Sequence, residues 1–259
     1  MGKMKNSVLI WVMALLFISI QGKIYAEDVL KIGVMNIYPE QRNADWYQRA
    51  RVMPMVDYLK SLGYKPELFS GSLFSEAPEK VSTYDFIVLV DSWWMPKKDY
   101  EGMMKYVENG GILFLVGSGG VSYVDEEGKR KFCPYPEFIG IEESGGGSGV
   151  SEEIMFTEMC PLTQGLPIEK WIKVDRMGIY LNVAEWKPAK GKVLGLCKGY
   201  YEKEFEKGKK KLCHFLLYTK YGKGATIFLA YDSKITESDI AKTIVKNVFQ
   251  EKVLRWLRK

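Results

Sequence analysis

Three side chains in this sequence could together perform nucleophilic hydrolysis: Ser118 in the glycine-flanked run LVGSGG, His214, which is the sole histidine, and Asp232 after the run GATIFLAY. A serine hydroxyl becomes a nucleophile at neutral pH only when a base takes its proton and a third group orients that base. In that arrangement Ser118 attacks, His214 is the base and Asp232 holds the imidazole. Two features weigh against it. VGSGG lacks the first glycine of the G-x-S-x-G elbow, and His214 lies inside LCHFLLY, a β-type run where an imidazole can simply be a packed core side chain. Gly117, Gly119 and Gly120 also have a plainer use, which is to let the chain turn tightly after a strand.

A second constellation is suited to binding. Tyr38, Glu40, Asp91, Trp93, Trp94 and Ser118 all fall just after apolar runs, so a common sheet edge would gather them. Aromatic faces stack on the C–H faces of sugars while carboxylates accept hydroxyl protons, so the expected ligand is a carbohydrate or another small polar molecule. Asp91 and Glu40 could alternatively serve as acid and base in glycoside cleavage, which requires a set separation between two carboxyl groups. The competing use of a tryptophan pair is to cover the core or a neighbouring helix.

Other motifs point to less. SGGGSG has no buried strand before it and no helix after it at phosphate-binding spacing. No CxxC or Cys/His spacing suggests zinc, and no cofactor motif is present. Lys207, Lys209, Lys210 and Lys211 form a basic tip, but Glu202, Glu204 and Glu206 offset them, as on a solvated hairpin.

The elements that would position these residues centre on Tyr84 to Gly120. YDFIVLVDSWW and ILFLVGSGG are β-branched, unbroken apolar runs of the kind buried on both sheet faces. Between them Tyr100, Met103, Met104 and Val107 recur at helical spacing and Asn109-Gly110 supplies a stop. A strand, a helix and a strand in so short a span imply a right-handed crossover in a parallel sheet. The expected fold is therefore α/β, a flavodoxin-like, doubly wound and mostly parallel sheet. VLKIGVMNI supplies a first central strand, followed by a helix that Pro54 kinks or interrupts, and KPELFSG a short second one. Residues 121–190 read as loops, short strands and turns laid over the sheet. KVLGLCKGYY, KLCHFLLYTKYG and GATIFLAYD predict an antiparallel extension, and ITESDIAKTIVKNVFQEKVLRWL one closing amphipathic helix capped by Thr236 or Ser238.

The chain carries 37 basic and 32 acidic side chains, but Lys3, Lys5 and Lys23 lie in its first 26 residues, leaving 34 against 32. A near-neutral body offers no electrostatic footprint for nucleic acid. MGKMKN, the apolar SVLIWVMALLFISI and IYA before Glu27 have the layout of a signal peptide, so residues 1–26 are expected to be cleaved and 27–259 to form one extracytoplasmic domain, periplasmic or secreted and without membrane attachment. That compartment permits disulfides among Cys133, Cys160, Cys197 and Cys213. Cys197 with Cys213, and Cys133 with Cys160, are one of three pairings; four buried thiols are the alternative.

With these segments in hand, the sequence resembles the class I glutamine amidotransferase-like superfamily, in particular ThuA-like and β-galactosidase trimerisation-type domains. The resemblance rests on YDFIVLVDSWWMPKKDYEGMMKYVENGGILFLVGSGG, CPLTQGLP and KYGKGATIFLAYDSK and spans most of residues 29–250. Catalytic members place a cysteine on a sharp turn after a buried strand, with a histidine and a glutamate near the C-terminus. Here the matching turn carries Ser118, and Leu216 stands where a His-x-Glu pair needs its carboxylate. The resemblance thus implies the fold without glutaminase chemistry: a non-catalytic binding or assembly module, a pseudoenzyme linked to carbohydrate metabolism that forms a homo-oligomer.

Overall fold

In the computed structural model the two apolar runs around residue 100 become neighbouring parallel strands, β3 (Phe86–Val90) and β4 (Ile112–Val116), joined by α5 (Lys97–Glu108). The residues described are 30–258 except 133, 142–146, 182–190, 201–209 and 233. The leader read at 1–26, Cys133, the first half of SGGGSG, Lys207 and Lys209 fall outside them. Lys31–Lys259 form one compact unit. Among the described residues no helix is long and apolar enough to cross a membrane.

Before the crossover lie β1 (Ile32–Met35), α1 (Ala44–Tyr47), a π-helical turn (Gln48–Val52), α2 (Met53–Ser61), β2 (Glu67–Phe69), α3 (Leu73–Glu76) and α4 (Pro78–Val81). After it come β5 (Ser122–Val124), β6 (Arg130–Phe132), α6 (Pro136–Ile139), β7 (Gly147–Phe156), β8 (Ile172–Leu181), β9 (Lys192–Tyr200), β10 (Lys211–Tyr221), β11 (Gly224–Leu229), α7 (Asp239–Val248) and α8 (Glu251–Leu257). One nine-stranded mixed sheet runs β2-β1-β3-β4-β11-β10-β9-β7-β8, with β5 and β6 as a separate hairpin. The first five strands of that order are parallel and the rest antiparallel. The α/β sheet with an antiparallel extension matches the apolar runs, but it is not mostly parallel: four pairings are parallel and four antiparallel, and GATIFLA lies parallel to β4 instead of wholly within the extension.

Successive strand residues serve opposite faces, as the pleat demands. Ile87, Leu89, Leu113 and Leu115 join a cluster with Phe74, Tyr100, Met103 and Phe138. On the other face Phe249 sits 5.2 Å from the ring of Phe86 and 5.9 Å from that of Phe114. Tyr58 and Tyr64 tie α2 to the C-terminal region by donating to the carbonyls of Lys242 and Phe249.

Three further expectations change. Residues 147–181 are not short pieces over the sheet: they supply two ten-residue strands within it. Bulges between Ser151 and Glu153 and around Leu216 increase local twist, and the antiparallel half bends until Ile179 bridges Tyr231 and Asp232 N–H donates to the Gly178 carbonyl at 3.0 Å. The closing helix is two, broken at Phe249-Gln250, with Ser238 capping the first by accepting from Ala241 N–H. Pro54 acts one turn earlier than a simple kink: its missing N–H and bulky ring follow the π-helical turn, which widens the helix where an α-helical bond is lost.

Candidate functional site

Because β2 and β3 flank β1 on opposite sides, the loops after β1, β3, β4 and β11 converge beyond the C-terminal strand ends, the position of the ligand crevice in open α/β sheets. Asp91, the residue immediately after β3, lies at its floor, 1% exposed and with φ +48°. A non-glycine residue held in the left-handed region costs roughly 1–2 kcal/mol, so the surroundings must impose it. They do so on every side. Asp91 N–H donates to the Val116 carbonyl at 3.0 Å, Gln41 Nε2 donates to the Asp91 carbonyl at 2.9 Å, and Ser118 N–H donates to Asp91 Oδ1 at 3.0 Å.

Gln41 is a buried clamp, since its Oε1 also accepts from the backbone N–H groups of Trp93 and Trp94 at 3.1 and 3.2 Å. It thereby fixes the β1 loop to the β3 loop. On the other side of Asp91, the turn after β4 carries its positive φ at Gly117 (+65°), not at Ser118. A Cβ on Gly117 would collide with Asp91 Oδ1, so the carboxylate fills the space a side chain at this turn would take.

The π-helical turn aims Arg51 at this floor. Its Nε lies 3.6 Å from Asp91 Oδ2 and its Nη2 3.8 Å from Asp232 Oδ1. Both contacts are longer than hydrogen bonds, and Arg51 Nε is buried with no hydrogen-bond acceptor. Burial and the nearby Asp232 charge push the Asp91 carboxyl up to about 7, against the opposing pull of Ser118 and Arg51. Tyr47 is held nearby, its phenol raised by burial and by the charges of Asp91 and Asp232.

The predicted site residues meet only in part. Asp91 and Ser118 are in contact, and Ser118 Oγ turns toward Asp91 Oδ1 at 3.4 Å. Asp232 faces the same Arg51. His214 is 2% exposed, its Nδ1 has no partner, and burial lowers its imidazole to about 4. Among the described contacts none joins His214 to Ser118 or Asp232, so the hydrolytic triad is not assembled. Glu40 is exposed on the turn before Gln41, and the second carboxylate at Asp91 is Asp232 instead. Tyr38 is buried, donating its hydroxyl to Asp99 Oδ2 at 2.9 Å, and its phenol is raised by burial and Asp99.

The tryptophans are half-buried and already engaged. The guanidinium of Arg130 lies 4.6 Å from the Trp93 ring, and Trp94 packs 6.0 Å from Tyr38. Among the described residues Trp46 and Phe132 are exposed, at 51% and 42%, with Arg51 5.3 Å from the Trp46 ring and Arg130 4.0 Å from that of Phe132. Sequence reasoning missed Gln41, Trp46, Tyr47 and Arg51. The four-residue spacing of Tyr47 and Arg51 ahead of Pro54 was the one available signal. Among the described residues no three His, Cys, Asp or Glu side chains gather to hold a metal. Cys160, Cys197 and Cys213 are thiols in the structure.

No family model and no curated relative matches the sequence. Solved structures do. A protein described as ThuA-like from Bacteroides uniformis superposes with a TM-score of 0.58 at 17% identity, over 87% of this chain and 92% of its own. A catalytic mutant of Gan42B, a GH42 β-galactosidase from G. stearothermophilus, gives 0.57 at 13% identity over 88% of this chain and 30% of its own. A cytoplasmic protein from Salmonella typhimurium gives 0.53 at 13%, over 89% and 100%. This chain spans about 30% of the β-galactosidases it resembles. At these identities the likeness is one of fold, and it agrees with the resemblance read from the motifs.

Proposed function

We propose that this protein is an extracytoplasmic, non-catalytic binding or assembly domain of amidotransferase-like, flavodoxin-type architecture that serves carbohydrate metabolism. The observation that carries the non-catalytic reading is the turn after β4. Its strained position is Gly117, without a side chain, and the carboxylate of Asp91 fills the adjoining space. A nucleophile needs an exposed side chain on such a turn and a base within reach. Ser118 instead faces a carboxylate that is itself clamped by the backbone.

The ligand class follows from the rim. Arg51 has a buried donor without an acceptor, Asp232 lies beside it, and the Trp46 ring is half exposed between Arg51 at 5.3 Å and Tyr47 at 5.0 Å. Donor, acceptor and apolar face together suit a sugar hydroxyl pair with its C–H surface. The ThuA-like and β-galactosidase folds support a carbohydrate-related role, and the trimerisation-type resemblance supports a homo-oligomer. The order β2-β1-β3-β4-β11 of the parallel half supports the flavodoxin-type description.

A second reading has its own support: a buried carboxyl raised to about 7 beside a second carboxylate is the usual make-up of an acid–base pair. Calorimetric titration with a panel of neutral mono- and oligosaccharides, run beside glycosidase and esterase assays, separates the two. Binding without turnover, weakened at least tenfold in Arg51→Ala, is expected. Turnover that disappears in Asp91→Asn or Ser118→Ala overturns the non-catalytic reading.

A further inference from the structure

The antiparallel half contains a cysteine pair that the crevice does not use. Cys197 on β9 and Cys213 on β10 are direct register partners, and neither is exposed to solvent. The Cys213 thiol donates to the Lys211 carbonyl at 3.5 Å, and its nearness together with burial raises the Cys197 thiol. Residues directly opposite in an antiparallel pair have Cα atoms roughly 4.5–5.5 Å apart, inside the span of about 4.4–6.8 Å that a disulfide bridges. Sequence spacing left three pairings open. The register now selects one.

We infer that Cys197 and Cys213 are joined by a disulfide in the mature protein. The step is an exchange with a disulfide oxidant of the thiol–disulfide oxidoreductase or glutathione class. The two thiols lose two protons and two electrons as one S–S bond forms, and the oxidant's S–S bond is reduced to two thiols. Complete burial dictates when this happens. The bond forms while β9 and β10 are pairing, before the sheet closes over them, and is then sealed from reductant until the protein unfolds.

The bridge closes a loop over the fifteen residues 198–212, which include the charged segment between the strands. Cross-linking a loop of that size restricts the unfolded chain. For a chain of this length it should raise the melting temperature by roughly 6–12 °C.

The test uses the full chain refolded in a glutathione redox buffer, alkylated in denaturant and digested without reductant. Mass spectrometry should find the Cys197 and Cys213 peptides linked, two hydrogens lighter than their sum. Reduction in denaturant followed by refolding under reductant should lower the melting temperature by the stated amount. The Cys197→Ala/Cys213→Ala double variant should be insensitive to the same treatment. Alkylation of both cysteines, or linkage of either one to Cys133 or Cys160, overturns the inference. Peptide mapping of the unsubstituted chain decides this even where the double variant does not fold.

Discussion

Asp91 offers a sharp test because burial moves its carboxyl into the neutral range. Its folded value is about 7 against an ordinary 3.8. The folded protein therefore holds a proton that the unfolded chain has released across this window. A group raised in this way contributes stability that is complete below about pH 3.8 and is lost as pH rises through about 7. The whole difference corresponds to about 4 kcal/mol, of which about 2 kcal/mol falls between pH 5.5 and 8.5.

Asp91→Asn removes the titration with little else. Asparagine tolerates a positive φ as well as aspartate does, its carbonyl can still accept from Ser118 N–H, and Arg51 retains Asp232. In urea titrations of both proteins at pH 5.5, 7.0 and 8.5, the stability difference should move in the variant's favour by about 2 kcal/mol from the lowest pH to the highest, a relative midpoint shift on the order of 1 M. His214 titrates in the opposite sense. Its depressed imidazole contributes stability above about 6.5 that is lost as pH falls toward about 4. That contribution is common to both proteins and cancels in the difference. Parallel stability profiles for the two proteins would refute a buried, proton-holding Asp91.

The remaining predictions address the turn, the rim and the core. Gly117→Ala should destabilise by at least about 2 kcal/mol in denaturant titration, since it adds a collision with Asp91 to a strained φ; Asp91→Gly in the same chain should recover part of that loss. Trp46→Ala should leave the melting temperature within about 2 °C of wild type, because the ring is half in water, yet weaken sugar binding severalfold by calorimetry. Phe249→Ala empties the contact between two sheet phenylalanines and the C-terminal helices and should cost about 3–5 kcal/mol in the same titration.

Much of the fold was legible because burial on both faces leaves a strong mark. FIVLV and ILFLV could only be inner parallel strands, and the helical spacing between them set their direction. What hid β7 and β8 was chemistry of the opposite kind. Their residues include Gly147, Gly149, Ser151, Glu152, Glu153, Lys173, Asp175 and Arg176, because the strands lie toward the end of the sheet order and carry a bulge. Polar residues on a partly exposed, irregular strand look like loop to any periodicity argument.

The site divides along the same line. Residues delivered by strand ends, Asp91 and Ser118, were identifiable because a buried run points its last residue at the crevice. Those delivered by the helix after β1 were not. Arg51 reaches Asp91 only because the π-helical turn ahead of Pro54 inserts an extra residue, which rotates the following side chains relative to an α-helical register. Gln41 is similar: its value lies in one side chain satisfying three backbone groups, at Asp91, Trp93 and Trp94, that are far from it in sequence. A Gln41→Ala chain would leave two N–H groups and one carbonyl without that partner, at about 1–3 kcal/mol for each that stays buried. The expected result is a loss of several kcal/mol together with loss of sugar binding, since the loop that carries Trp93 and the loop that leads into α1 are no longer held in register. A variant that binds normally and unfolds at the wild-type urea midpoint would mean that the crevice is organised by its strands alone.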